Sequence, residues 1–160
     1  MEWEFVDAYE EPETVKELLA EYTVMLEEGN PEIWECLRLQ HYDDELEDLQ
    51  GKYGRPEGRL YLIRRGEETA GCVALLKMDE TRCEIKRLYV RPAYRGQGLG
   101  ARAVEKILEE ARAVGYESMY LDTLDFLKSA IELYRKLGFE EIPPYNDNPL
   151  KGTVFMKKVL

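Results

Sequence analysis

A glycine-rich bend between a strand-like stretch and a helix-like one constrains the fold of this chain more than any other feature. Residues 83–90 have the pattern of a strand, and apolar side chains recur at helical spacing from Leu99 onward. The bend between them contains Gly96, Gly98 and Gly100. Glycines allow the backbone to turn several N–H groups into one concavity, and a following helix adds its unpaired N–H groups and positive dipole end. This order predicts a phosphate-binding site at the bend.

The rest of the sequence predicts a mixed sheet with helices. Strands are expected at residues 3–8, 60–64, 69–78, 83–90, 118–121, 139–142 and 153–159, and helices at 12–29, 30–46, 99–114 and 126–137. The connections at 65–68 and 79–82 are short enough to force antiparallel hairpins, whereas the return through a helix favours parallel pairing of 118–121 with 83–90. We therefore predict one domain over residues 1–160, of the α+β (α/β mixed) class.

Composition places the chain among folded proteins outside the membrane. A hydrophobic content of 44% and a charged content of 34% suit a globular domain, and no apolar run approaches the ~20 residues that cross a bilayer. The first residues lack the pattern of a secretion signal. Cys36, Cys72 and Cys83 are widely spaced, which favours reduced thiols over disulfides or a metal site. We expect a cytoplasmic protein.

Charge excludes one class of partner and favours another. The formal net charge of −11 argues against nucleic-acid binding, because phosphates would be repelled. Residues 84–102 nevertheless contain five cations and one anion, against 17 cations and 32 anions elsewhere. A positive segment in an acidic chain, coincident with the glycine bend, indicates an anionic cofactor that meets a cationic substrate.

Two common phosphate-binding motifs do not fit the bend. A P-loop requires Gly-Lys-Ser/Thr, but Gly100 is followed by Ala101 and Arg102. The dinucleotide-binding fingerprint matches the glycines, and Asp122 ends the next predicted strand where a ribose-binding acid belongs. Residues 91–95, however, separate the strand from its first glycine, and only 38 residues follow Asp122. Both interpretations are therefore disfavoured.

Three segments in order resemble the GNAT superfamily of acyl-CoA-dependent N-acyltransferases. Arg95, Gly98 and Gly100 meet its signature Arg/Gln-x-x-Gly-x-Gly/Ala. Residues 86–92 are similar to the family's central strand, and residues 130–139 to its last helix and the strand behind it. The resemblance implies a central mixed, mostly antiparallel twisted sheet of about seven strands flanked by four helices.

The resemblance also implies where a cofactor binds. Coenzyme A, carrying the acetyl group as acetyl-CoA, would lie between the strands at 83–90 and 118–121 with its pyrophosphate on the bend. Backbone N–H groups would there replace water around the phosphate oxygens. The residues expected to hold the cofactor are Leu88, Tyr89, Val90, Arg95, Gly96, Gln97, Gly98, Leu99, Gly100 and Arg102. No metal is required.

Acyl transfer to an amine needs a base, donors for an oxyanion and a proton for the departing thiolate. The resemblance implies that the Val90 N–H serves the oxyanion and that Tyr134 protonates the thiolate. Glu84 is the predicted base, directly or through water, with His41 and water as alternatives. Many relatives carry Asn seven residues before the tyrosine, where this chain has Leu127, which puts a cofactor or structural contact of that side chain in doubt.

The expected function is N-acetyltransferase: direct attack of a small-molecule primary amine on acetyl-CoA in a ternary complex. Acidic and aromatic side chains, which attract cations, are expected to flank the acceptor entrance. They are Asp43, Asp44, Glu45, Glu47, Asp48, Trp34, Tyr42 and Tyr145. Two alternatives stay open, a non-catalytic acyl-CoA-binding sensor and an acetyltransferase of protein lysines or N-termini. Homodimers are common among similar proteins.

Overall fold

The computed structural model describes residues 2–160, which form seven strands and six α-helices. The strands are β1 (Glu4–Asp7), β2 (Arg59–Arg65), β3 (Glu68–Lys77), β4 (Arg82–Val90), β5 (Ser118–Leu124), β6 (Glu140–Ile142) and β7 (Thr153–Val159). The helices are α1 (Pro12–Gly29), α2 (Ile33–Leu39), α3 (Tyr42–Glu47), α4 (Leu49–Tyr53), α5 (Leu99–Val114) and α6 (Lys128–Lys136). A 3₁₀ turn, Pro92–Tyr94, connects β4 to the glycine bend.

All seven strands belong to one sheet, in the order β1-β2-β3-β4-β5-β7-β6. β4 and β5 run parallel, and every other neighbouring pair is antiparallel. The hairpins β2–β3 and β3–β4 and the parallel return through α5 are those that the connection lengths predict. The prediction of an α+β fold around a mixed, mostly antiparallel sheet is therefore confirmed.

The stretch predicted as one helix over residues 30–46 is divided between α2 and α3, and α4 follows beyond it, so six helices rather than four flank the sheet. His41, between α2 and α3, has a φ of 57°, which a helix interior does not permit. Asp48 then begins α4, because its side chain accepts a hydrogen bond from the Gly51 N–H at 2.8 Å. Apolar residues recur across both breaks, which hides them from a periodicity argument.

Helices cover both faces of the sheet. α5 packs on one face, where Ile107 is fully buried in the same cluster as Ile63 of β2. α1 to α4 cover the other face, where Leu18 lies in a second cluster with Leu62. Neighbouring residues of a strand point to opposite faces, so β2 contributes to both clusters. Among residues 2–160, every helix is too short or too polar to span a membrane.

The sheet opens between β4 and β5, because these strands pair only where they begin. The pairs are Arg82–Ser118, Cys83–Met119 and Glu84–Tyr120. On its other side, β4 has a bulge, since the register against β3 shifts between Cys72 and Ala74. Arg87 lies in that bulge with a φ of 57°. A bulge bends the strand that contains it, so residues 85–90 diverge from β5 and leave a gap in the centre of the sheet.

Candidate active site at the parted strands

The gap between β4 and β5 is a cavity of about 600 Å³, which we call the main cavity. Its walls are residues 85–90 of β4 and Leu121 and Asp122 of β5. The remaining lining is Tyr22 and Met25 of α1, residues 94–96 and 98–101 at the bend, and residues 126–130, Leu133 and Tyr134 in and before α6. The volume lies in the range of small-molecule sites, and the cavity extends from the bend to the tyrosine.

The bend carries six consecutive backbone N–H groups, those of residues 96–101, that donate no hydrogen bond within the described part of the chain. The Arg102 N–H donates to the Gly98 carbonyl at 3.1 Å and so begins the α5 ladder. Five of the six residues line the main cavity. Unpaired donors at the positive end of a helix dipole form a site for an anion, and a run of this length suits a pyrophosphate.

The three glycines of the bend are required for different structural reasons. Gly96 and Gly98 have φ values of 84° and 77°, in the left-handed region that disfavours any residue with a Cβ. Gly100 is helical, and a Cβ there would lie 3.3 Å from the Leu133 Cδ2 atom. The first two therefore aim the N–H groups, while the third allows α6 to approach the start of α5.

The structure brings most of the predicted cofactor residues together. Those that line the main cavity are Leu88, Tyr89, Val90, Arg95, Gly96, Gly98, Leu99 and Gly100. Gln97 and Arg102 are outside the lining. The Gln97 Oε1 atom accepts from the Trp3 indole N–H at 3.2 Å, and Arg102 donates to the Trp3 carbonyl at 3.0 Å. These two side chains join the bend to the N-terminal segment.

The end of β4 presents a donor to the gap. The Arg91 N–H donates to the Ala70 carbonyl at 2.7 Å, so the alternation of an antiparallel ladder turns the Val90 N–H away from β3 and toward the gap. The Val90 carbonyl accepts from Arg95 Nε at 2.8 Å, which folds the Arg95 side chain back onto the strand end. Val90 is thus held while its N–H stays free for a ligand.

Tyr134 projects from α6 into the main cavity. It is buried and packs edge-on against Phe139 with ring centroids 5.6 Å apart. Burial raises the pKa of Tyr134 above its ordinary value of 10, with smaller contributions from Tyr22 and Asp122. The phenol therefore keeps its proton at physiological pH and can act as a donor.

Glu84 lies at the last residue pair before β4 and β5 part, just outside the lining of the main cavity. Its Oε2 atom accepts a hydrogen bond from the Tyr145 hydroxyl at 2.7 Å. Burial, then the Glu84 and Asp122 carboxylates, raise the pKa of Tyr145, so this phenol stays protonated. His41 is exposed at the start of α3 and does not line the cavity.

A second cavity of about 40 Å³ adjoins the main one; we call it the small cavity. Four side chains line both cavities: Tyr22, Arg87, Asp122 and Leu127. Sequence reasoning assigned no part in the acetyltransferase site to the first three of these. The alternation of side chains along β5 could have indicated Asp122, because it places Asp122 on the same face of the sheet as Tyr120. The position of Arg87 depends on the bulge, for which we find no sequence signal.

Arg87 belongs to a buried charged cluster that joins α3 and α4 to β4. Its Nε and Nη2 atoms donate to the two carboxylate oxygens of Glu45 at 2.9 and 2.8 Å, and Lys52 donates to Glu45 at 2.7 Å. Burial would raise the pKa of Glu45, but the two cations outweigh it and lower that pKa to about 2. Glu45 is thus a buried partner of Arg87 rather than part of the acidic surface that the sequence predicts.

Comparison with known proteins identifies relatives of the chain. The model of the Acetyltransferase (GNAT) family matches residues 17–139. A Schizosaccharomyces pombe protein described as an uncharacterized N-acetyltransferase is 40% identical over 141 residues, which cover 87% of this chain and 86% of that protein. The IAA acetyltransferase of Azospirillum brasilense is 37% identical over 119 residues, covering 72% of this chain and 76% of that enzyme.

Solved structures share the fold. The PaiA N-acetyltransferase of Thermoplasma acidophilum, crystallised in complex with coenzyme A, superposes with a TM-score of 0.74 over 100% of both chains at 17% sequence identity. At this identity, the likeness establishes the architecture and no more.

Proposed function

The chain belongs to the GNAT acetyltransferase family, and from this premise we propose that it transfers the acetyl group of acetyl-CoA to the primary amine of a small molecule by direct attack in a ternary complex. One observation carries the proposal. Six unpaired N–H groups, of residues 96–101, stand at one end of a cavity whose lining also includes Tyr134. Donors for an anion and a proton donor share one cavity, as an anionic carrier with a reactive thioester requires.

The residues of the main cavity fit acetyl-CoA in chemistry. The N–H groups of residues 96–101 would donate to the diphosphate, and Arg95 and Lys128, which also line the cavity, add positive charge. The β4 wall offers Leu88 and the Val90 N–H to the amide-containing pantetheine arm, in the manner of a neighbouring strand. Because β5 leaves residues 85–90 unpaired on this side, a ligand can occupy the position of the missing strand.

Acetyl-CoA supplies an activated thioester when it is bound. The Val90 N–H can donate to the carbonyl oxygen as negative charge develops on it. Tyr134 can donate its proton to the sulfur as the thiolate departs. The apolar surroundings that raise the pKa of Tyr134 also raise the pKa of a thiol beside it. The two increases offset each other, so the transfer remains modestly uphill, as the ordinary values of ~10 and ~8.5 indicate.

We propose that the acceptor amine binds in the small cavity and on the face around Glu84. Tyr22 and Asp122 line both cavities, so a carrier in one and an amine in the other would meet there, as a ternary complex requires. Glu84 would accept the ammonium proton through the Tyr145 hydroxyl or a water. The Azospirillum relative is named for a small-molecule substrate, which supports an acceptor of that size for this chain.

A thiol-release assay tests the proposal. Purified protein is given acetyl-CoA and a panel of primary amines, and free coenzyme A is measured together with the acetylated product. We expect turnover with small amines and intersecting initial-rate lines when both substrates are varied. Tight acetyl-CoA binding without thiol release for any acceptor would favour a sensor, and acetylation confined to protein lysines or N-termini would favour a protein acetyltransferase.

A further inference from the structure

The junction of the two cavities has charges of both signs. Arg87 and Asp122 each line the main cavity and the small cavity, and the other walls of the small cavity combine apolar side chains with Gln40, Thr123 and Asn148. Buried charges are normally paired, and the pairing of these two side chains is incomplete. The groups that they leave free indicate what a ligand must offer.

Arg87 has an unused donor. Its side chain is 5% exposed, Nε and Nη2 are occupied by Glu45, and Nη2 also donates to Gln40 at 3.0 Å. Nη1 donates no hydrogen bond to any residue in 2–160. It is nevertheless not fully buried, because among the described residues the Tyr53 hydroxyl is the only fully buried side-chain N or O atom without a hydrogen-bond partner. The Nη1 group therefore has some accessible surface, and because Arg87 lines both cavities we assign that surface to them, where the group could bind a carboxylate oxygen.

The Asp122 carboxylate likewise uses only part of its hydrogen-bonding capacity. Its Oδ2 atom accepts from the Asn146 side chain at 2.9 Å, and its Oδ1 atom has no hydrogen-bond partner among the described residues. A free carboxylate oxygen at the junction suits an ammonium group. The small cavity beside it is lined by Leu26, Ile33, Cys36, Leu37, Leu124 and Leu127, among others. These side chains suit an apolar substituent.

We infer that the acceptor is an α-amino acid, bound with its carboxylate on Arg87 and its ammonium on Asp122. The inference rests on the proposed function and names the substrate class of that site. Charge supports a zwitterion over a simple amine. Arg87, Lys52, Glu45 and Asp122 together carry no net charge, so a bare alkylammonium would leave one positive charge that the carboxylate of a zwitterion cancels.

Matched acceptors test the inference on the unaltered protein. Valine is compared with isobutylamine, which lacks the carboxylate, and with valinamide, which replaces it by a neutral group. Valinamide loses its ammonium proton most easily of the three, so amine availability alone would favour it. We expect kcat/KM for valine to exceed both others by roughly 10- to 100-fold, the range of a charge-assisted hydrogen bond.

The outcomes separate the two proposals. Turnover of isobutylamine or valinamide at least as good as that of valine overturns the amino-acid inference and leaves the acetyltransferase proposal standing. Absence of thiol release with every acceptor overturns both. A valine preference of tenfold or more supports both.

A variant assigns the preference to Arg87. Arg87→Lys keeps a cation opposite Glu45 but removes the second guanidinium arm. We expect the ratio of kcat/KM for valine to kcat/KM for isobutylamine to fall about tenfold or more, a readout that a general loss of activity or stability would not move. Arg59→Lys is the matched control, because Arg59 is also buried and paired, with Glu110 at 2.8 Å, but lies outside both cavities. An unchanged valine-to-isobutylamine ratio in Arg87→Lys would overturn the assignment.

Discussion

Tyr134 is the residue on which the proposed chemistry depends most, because its hydroxyl is protonated and the side chain lines the main cavity. Tyr134→Phe removes the proposed donor and little else. We expect kcat to fall by about 100-fold or more, since a positioned proton donor contributes roughly that factor. The Kd for acetyl-CoA, measured by calorimetry, should stay within about twofold.

The matched control is Tyr116→Phe. Tyr116 is also buried, and its hydroxyl donates to the Glu57 carbonyl at 2.7 Å, away from the cavity. We expect this variant to lose about 1 kcal/mol of stability and no turnover. Equal turnover by Tyr134→Phe and the unaltered protein would remove Tyr134 from the mechanism.

Glu84 is proposed as the base, and its replacement should have a characteristic pH dependence. Glu84→Gln keeps the size of the side chain but cannot accept a proton. We expect kcat/KM to fall roughly 10- to 100-fold at pH 7, and the deficit to shrink as the pH approaches the amine pKa of ~10, because more acceptor then arrives deprotonated. Initial rates between pH 6.5 and 9.5 measure this.

Tyr145→Phe helps to interpret that result. It removes the hydroxyl that donates to Glu84 at 2.7 Å and keeps the carboxylate, so a smaller loss is expected. A deficit in Glu84→Gln that does not change with pH would argue for a structural role of the side chain.

Residues whose role follows from local pattern could be predicted from the sequence, and residues placed by long-range geometry could not. Gly96 and Gly98 stand out because only glycine takes their backbone conformation freely. Asp122 and Arg87 reach the site because β4 and β5 part and β4 bulges, and these events depend on the packing of the whole sheet. Local propensity does not report them.

At the scale of elements, the N-terminus of α5 is the proposed anion site. Gly98→Ala places a Cβ at a φ of 77°, which costs about 1 kcal/mol and is relieved by turning the bend. Loss of even one charge-assisted hydrogen bond to phosphate would then weaken binding. We expect the Kd for acetyl-CoA, from calorimetry, to rise about tenfold or more.

α5 provides its own control for this change. Gly115, at the opposite end of the helix, has a φ of 110° and equally free space around a Cβ. Gly115→Ala should therefore cost similar stability and leave the Kd unchanged. Equal effects of both variants on acetyl-CoA affinity would show that the bend acts through stability alone.

The buried cluster of Glu45, Arg87 and Lys52 connects the α3–α4 segment to β4, so its protonation should affect stability. The pKa of Glu45 is lowered from 4.5 to about 2 in the folded state. A lowered pKa stabilises the fold above pH 4.5, and that contribution is lost as the pH falls from about 4.5 to about 2. We expect a loss on the order of 3 kcal/mol in the free energy of unfolding, measured by urea titration at several pH values.

Glu45→Gln should remove much of that pH dependence, and at pH 7 it should destabilise the protein by roughly 3 kcal/mol because the buried Arg87 and the half-buried Lys52 lose their anion. Glu47→Gln, on an exposed residue of the same helix, is the control and should change little. An acid limb of equal steepness in Glu45→Gln and Glu47→Gln would contradict the assignment.

Across the whole molecule, the charge pattern read along the sequence differs from the charge pattern in space. The positive segment at residues 84–102 is partly neutralised by distant acids. Arg87 pairs with Glu45, and Arg91 pairs with Glu17 and Glu21 of α1. The sequence therefore predicts an anion site at the glycine bend but overstates the positive charge around it, because pairing partners from other elements are not visible in a linear count.

The two parts of the sheet, β1–β4 and β5–β7, are joined by strand pairing at only three residue pairs, so a ligand in the gap should tie them together. We expect coenzyme A to slow amide hydrogen exchange at Val90, whose N–H faces the gap, and at residues 96–101. Adenosine 3′-phosphate 5′-diphosphate lacks the pantetheine arm and should protect only residues 96–101. The Gly115 N–H, already bonded to the Ala111 carbonyl at 3.1 Å, is the internal reference for both ligands.

Thermal unfolding gives a second readout. Both ligands should raise the midpoint of unfolding by binding at the bend, but at equal fractional saturation coenzyme A should raise it further, because only its pantetheine arm reaches across the gap. Protection of Val90 by the nucleotide fragment, or unchanged exchange at Val90 with saturating coenzyme A, would place the arm outside the gap and leave the role of the parted strands without support.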